Sequence, residues 1–124
     1  MIQEIVKEHH HSSVEEIEFF LYEFRTLKKK YGIIFYDRKK NNQGLLDLEI
    51  SAKEREKMLD ELTAIDYYRG PKPDMVSIGG EYWEFGKKIK GKEVYIKISM
   101  GFDNEAVACF SFHQAERKIN YPYK

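Results

Sequence analysis

One cysteine, three prolines and no net charge set the first limits on this chain of 124 residues. A single Cys109 excludes an internal disulfide and a zinc site built from cysteines, and it fits a reducing compartment. The 21 Lys+Arg residues balance 21 Asp+Glu, so the basic excess of a general nucleic-acid binder is missing. No apolar run approaches the roughly 18 residues of a membrane span, and no signal-type apolar core follows Met1. A cytoplasmic protein with no membrane partner is therefore expected. Internal repeats and low-complexity tracts are also absent.

What is present points to a sheet. Hydrophobic residues make up 42% of the chain and aromatics 15%, enough for one modest core with a composition suited to strands. A single domain over residues 1–124 is expected. The charge is unevenly spread: residues 1–68 hold 11 basic and 14 acidic groups, whereas residues 69–124 hold 10 and 7. This mild basic bias in the second half permits an RNA substrate without demanding one.

Residues 1–12 read as a flexible lead, and residues 13–69 as mainly helical. Ser13 suits an N-cap, Glu15, Glu16 and Glu18 suit a first turn, and Ile17, Phe20, Leu21, Phe24 and Leu27 form one apolar stripe. Lys28, Lys29 and Lys30 followed by Gly32 close a helix over about 14–31. Ile33 to Tyr36 is short and β-prone, and Asp37 to Gly44 reads as a charged, amide-rich loop. Ser51 with Glu54 forms a capping box for a second helix carrying Met58, Leu59 and Leu62. Gly70 to Gly80 holds two prolines and three glycines and reads as a loop.

Beyond Gly80 the hydrophobic period becomes two. Glu81 to Lys88, Glu93 to Met100 and Glu105 to His113 read as three antiparallel strands across 81–113, joined by turns at Lys90-Gly91 and at Gly101 to Asn104. The tail from Ile119 to Lys124 reads as an edge segment or an irregular extension. The fold class is α+β, with two N-terminal helices packed on a C-terminal antiparallel sheet.

Alternation sorts these strands into two faces. Trp83 and Phe85, Val94, Ile96 and Ile98, and Ala106, Ala108, Phe110 and Phe112 are expected on the core face. Tyr82 and Glu84, Tyr95, Lys97 and Ser99, and Cys109, Ser111 and His113 are expected on the other. Glu84 opposite Lys97 has the makings of a plain cross-strand ion pair. Tyr95, His113 and Arg69 exceed what such a pair needs, and histidine ordinarily titrates nearest neutrality. This set suits cleavage of RNA by its own 2′-OH, which needs a base, an acid and cations around the phosphate. No cofactor is implied, and one histidine on the face suggests no metal. The His9-His10-His11 run reads as a solvated stretch before the first helix.

These positions also carry a family resemblance. Gly44-Leu45-Leu46-Asp47, Asp66-Tyr67-Tyr68-Arg69, Trp83-Glu84, Val94-Tyr95-Ile96-Lys97-Ile98 and Ser111-Phe112-His113 occur in the order and spacing of motifs in the motility quorum-sensing regulator (MqsR) toxins of type II toxin–antitoxin systems. The resemblance implies a RelE-like fold, endoribonuclease activity on mRNA and a cognate antitoxin protein, one with paired CxxC motifs and a helix-turn-helix region. The family's functional positions fall on Arg69, Glu84, Tyr95 and His113. Arg69 stands where the family has Lys, Glu84 where it has Gln, and His113 where it has Lys. Glu and His transfer protons better than the residues they replace, so stronger acid–base catalysis is expected. Glu84 is expected as base, Tyr95 as its partner, His113 as acid, and Arg69 and Lys97 as phosphate ligands. Lys87 and Lys88 are expected to steer the RNA. The rival reading is a non-catalytic RNA-, ribosome- or protein-binding module.

Overall fold

A computed structural model describes residues 11–36, 38–73, 80–101 and 105–124. All of the expected turn at Gly101 to Asn104 except Gly101, most of the stretch from Gly70 to Gly80, and His9 and His10 lie outside the described residues.

Helix α1 spans Val14–Tyr31. Ser13 accepts from the Glu16 amide while Glu16 accepts from the Ser13 amide, which satisfies two otherwise orphaned donors. Its stripe of Ile17, Phe20, Leu21 and Phe24 is buried as expected. Gly32, at φ 89, turns the chain into β1 (Ile33–Phe35). Helix α3 (Ala52–Asp60) begins on the Ser51–Glu54 capping box. Strands β2 (Tyr67–Pro73), β3 (Glu81–Ile89), β4 (Lys92–Ser99) and β5 (Val107–Gln114) follow. The sheet order is β1-β5-β4-β3-β2.

The sheet is thus five-stranded and mixed. Its three central strands are antiparallel as expected, but β1 runs parallel to β5. At the opposite edge, β2 extends into the stretch expected to be a loop. Its Pro71 and Pro73 are tolerated because β2 is an edge strand with two register shifts against β3, where missing amide donors cost little. At the β3–β4 turn, Lys90 and Gly91 both take positive φ, 51 and 82, as a tight hairpin requires.

The segment expected to be a loop at Asp37 to Gly44 instead contributes to a third helix, α2 (Lys39–Leu48). Its two asparagines and a glycine disfavour helix locally, and Arg38 at the N-cap makes no side-chain cap bond. Contact with β5 overrides that weakness. The Asn41 amide donates to Phe110 O, and its carbonyl accepts from Phe112 N, both at 3.0 Å. Asn41 thereby continues, with a side chain, the edge pairing that β1 supplies up to Cys109.

The core lies between the helices and one sheet face. Phe20 stacks on Trp83 at 4.3 Å between centroids, and Phe24, Leu59 and Leu62 close over Phe85, Ile96, Ile98 and Phe112. Strand β5 departs from simple alternation. Lys97 pairs with Ser111 but the next residue, Ile98, pairs with Cys109, so Phe110 is an extra residue in a β-bulge. Before the bulge Val107 and Cys109 face the core, whereas Ala108 and Phe110 lie outside it. Cys109 was expected on the polar face and is instead buried in the core, because a one-residue insertion exchanges the faces of everything beyond it.

Candidate active site

The face opposite the core carries Glu84 and Tyr95 on adjacent central strands, with His113 directly across from Tyr95 on β5. Arg69 enters from β2, where it pairs with Glu84 in register. Glu84 is only 2% exposed. A buried carboxylate needs partners for its charge, and Glu84 has them: Arg69 Nε donates to Oε1 at 2.6 Å, and the Tyr95 hydroxyl donates to Oε2. Lys72 Nζ stands 3.9 Å from Oε1. Burial pushes the Tyr95 phenol well above its ordinary range, and the hydrogen bond to Glu84 and that carboxylate's charge push the same way. Tyr95 is therefore a committed donor. Glu84 raises the Arg69 guanidinium further.

His113 is half-buried, its ring 5.6 Å from the Tyr95 ring. Its Nδ1 lies 3.0 Å from the Gln114 carbonyl, which can only accept, so Nδ1 donates and Nε2 is the nitrogen that can take or give a proton. Two contacts hold its strand. Asn41 ties β5 on either side of Ser111, and Gly44 lies directly against the His113 backbone.

Arg69, Glu84, Tyr95 and His113 line one cavity of about 400 Å³ together with Tyr68 and Ser111. Its rim adds Arg38, Lys40, Arg117 and Lys118, so five cationic side chains face two carboxylates, Glu84 and Glu116. One wall is the C-terminal tail, an irregular extension that crosses the sheet over Gly86. Ile119 N and the Tyr121 hydroxyl both donate to Glu93, and Tyr123 donates to Ser12 O. The crossing is close: a Cβ at Gly86 would lie 2.5 Å from the Tyr121 hydroxyl and 2.6 Å from Ile119 Cδ1, so those two side chains use the space that glycine leaves. Ser12, expected in the flexible lead, is buried and also donates to Gly70 O.

Four expected site residues thus converge, and three others are placed elsewhere. Lys97 pairs with Glu84 in register, but its ammonium sits over the Tyr82 ring, 4.1 Å from the centroid. Lys87 reaches Asp66 at 3.4 Å, and Lys88 is exposed opposite Glu93, outside the cavity lining. Sequence reasoning missed Tyr68, Lys72 and the rim cations. The runs Arg38-Lys39-Lys40 and Glu116-Arg117-Lys118 were visible as charge, but only the fold brings them to the same mouth. Among the described residues no three His, Cys, Asp or Glu side chains gather as a metal site. None of the helices is long and apolar enough to cross a membrane among those described.

No protein-family model matches the chain, and no curated protein or solved structure is significantly similar to it.

Proposed function

We propose that the protein is a cytoplasmic endoribonuclease that cleaves RNA by attack of the 2′-OH on the adjacent phosphate. One observation carries the reading: a Tyr95–Glu84–Arg69 chain of hydrogen bonds and His113 open onto a single cation-rimmed cavity. The resemblance to the MqsR toxins supports it from the sequence side. In that setting the protein is the toxin of a type II pair with a RelE-like fold, acting on mRNA and neutralised by a cognate antitoxin.

The geometry refines the roles. Glu84 is buried with both oxygens engaged, so it acts through Tyr95. The 2′-OH passes its proton to the Tyr95 oxygen as Tyr95 passes its own proton to Glu84. The O2′–P bond forms, the P–O5′ bond breaks, and His113 in its imidazolium form gives a proton to the departing 5′-oxygen. Arg69 is 45% exposed along its side chain, so it can meet the phosphate while Nε holds Glu84. The rim cations stabilise the charge that builds on the phosphoryl oxygens. Lys97 keeps a supporting place beside Tyr82.

The test is incubation with RNA in excess EDTA, followed by analysis of the new ends. Products bearing 2′,3′-cyclic phosphate and 5′-OH are expected, with roughly 10²–10⁴-fold loss in His113→Ala and Tyr95→Phe. RNA that binds without being cut would favour the non-catalytic module. Full cleavage by His113→Ala would remove His113 from the chemistry.

A further inference from the structure

A second groove, about 330 Å³, runs between α2 and the end of β5 and is lined by Lys39, Lys40, Gln43, Gly44, Asp47 and His113, among others. It shares Lys40, His113 and Glu116 with the first cavity. His113 therefore stands at the boundary of two compartments. Between them Lys40 Nζ meets Glu116 at 2.7 Å, with both side chains more than 60% exposed. An exposed pair of this kind is worth little and exchanges readily for another anion.

We propose that the second groove binds the RNA on the 3′ side of the scissile bond, the leaving nucleotide together with the one that follows it, and that the incoming RNA phosphate displaces Glu116 from Lys40 to join the compartments. This rests on the ribonuclease reading above. The polarity follows from the roles. Tyr95 and Glu84 take the 2′-OH proton in the first cavity, and His113 protonates the departing 5′-oxygen. The nucleotide that carries this oxygen must continue past His113, on the side away from Tyr95, where the second groove begins. The lining suits it: Lys39 and Lys40 meet phosphate, and Gln43 with Asp47, joined at 2.9 Å on successive turns of α2, offer hydrogen bonds to a base edge.

Glu116 is then an obstacle, which gives the inference an unusual signature. Glu116→Gln removes a negative charge from the path and frees Lys40, so it should lower KM for RNA by about two- to fivefold at low salt. The experiment first maps a cleaved bond on a long RNA, then trims that RNA one nucleotide at a time from its 3′ end. Removing the nucleotide just 3′ of the leaving one should lower kcat/KM by several fold in the parent protein. In Lys39→Ala/Gln43→Ala the ratio of extended to trimmed substrate should fall toward one.

Cleavage that ignores trimming, or a Glu116→Gln protein with unchanged or raised KM, overturns the groove and leaves the ribonuclease reading standing. If no RNA is cut, that reading fails first. Anisotropy of a labelled mixed-sequence RNA oligonucleotide then decides the groove: tighter binding by Glu116→Gln upholds it as an RNA path, and equal or weaker binding overturns it.

Discussion

Replacing Gly44 by alanine sets two effects of similar size against each other, and the structure decides between them. Gly44 lies inside α2, where alanine is favoured over glycine by about 1 kcal/mol. A methyl group buried there would add up to ~0.8 kcal/mol. Against this, the new Cβ would stand 2.9 Å from Phe112 O, 3.0 Å from His113 Cα and 3.2 Å from His113 Cβ. Carbon contacts settle near 3.5–4.0 Å, so the overlap is about 0.5 Å. Two of those three atoms belong to the backbone of β5, which is held by β4 on its other side and cannot turn away. The helix must retreat, and retreat stretches the two Asn41 bonds that fasten it to Phe110 and Phe112. Overpacking of this kind costs roughly 1–3 kcal/mol. The overpacking and the two favourable terms roughly cancel, so the weakening of two buried Asn41 bonds, each worth about 0.5–1 kcal/mol, decides the sign: Gly44→Ala should be net destabilising by about 1–2 kcal/mol, a fall in Tm of roughly 3–8 °C. Leu46→Ala on the same helix, at a side chain 71% exposed, serves as control and should stay within about 0.5 kcal/mol. Thermal and urea unfolding followed by circular dichroism measure both. A Gly44→Ala protein as stable as the parent, or more so, would refute the contact that seats α2 on His113.

Asn41→Ala should cost about 1–3 kcal/mol in urea unfolding, because it strands Phe110 O and Phe112 N at a buried strand edge; a loss below the error of the fit would count against that edge. Tyr95 titrates above its ordinary 10.0 in the folded protein, so the stability it contributes is intact below about pH 10 and is lost as pH rises through the folded value. Tyr95→Phe should therefore lose stability less steeply than the parent above pH 10, and equal slopes would contradict the assignment. Burial pushes the Cys109 thiol up to about 12, so a disulfide reagent should label it slowly in the folded protein and quickly in urea. Rapid labelling without denaturant would place Cys109 outside the core.

The sequence carries the parts of the fold that depend on local rules. The α1 stripe, both capping boxes and the positive-φ turn at Lys90-Gly91 are written in neighbouring residues, and each stands where the pattern puts it. The parts it hides depend on distant partners. Helix α2 has poor local propensity and exists because Asn41 and Gly44 fit β5, some 70 residues on. The parallel pairing of β1 joins the two ends of the fold and leaves no local mark. The bulge at Phe110 is invisible to alternation, since a period of two looks unbroken until the partner strand shows the extra residue. That one residue explains why Cys109 was misplaced while Ser111 and His113, beyond the bulge, were not. Glu84, Tyr95 and His113 were legible because they share a face where the strand pairing is regular, and the rim cations were not because two segments far apart in the chain, 38–40 and 116–118, deliver them.

Glu84, more than any other residue, sets the proposed site apart from an ordinary polar sheet face. As a stability device the arrangement is poor: burying a carboxylate is costly, and a well-packed apolar residue at a central strand position would often serve as well or better. Its principal cation is also an expensive choice, since Arg69 comes from an edge strand with two register shifts and leaves nearly half its side chain exposed. What the arrangement does secure is orientation. Glu84 fixes the hydroxyl of Tyr95, whose bulk burial already disfavours as a phenolate, and the same carboxylate fixes the guanidinium of Arg69 beside it. Both fixed groups meet the cavity that His113 enters from the next strand. An exposed cross-strand pair of Glu84 with Lys97 would have needed none of this, and Lys97 rests instead on an aromatic ring. A phenol oxygen and a guanidinium held at a cavity by a charge that stability alone does not require are what the proposed acid–base and electrostatic catalysis demands of a fold.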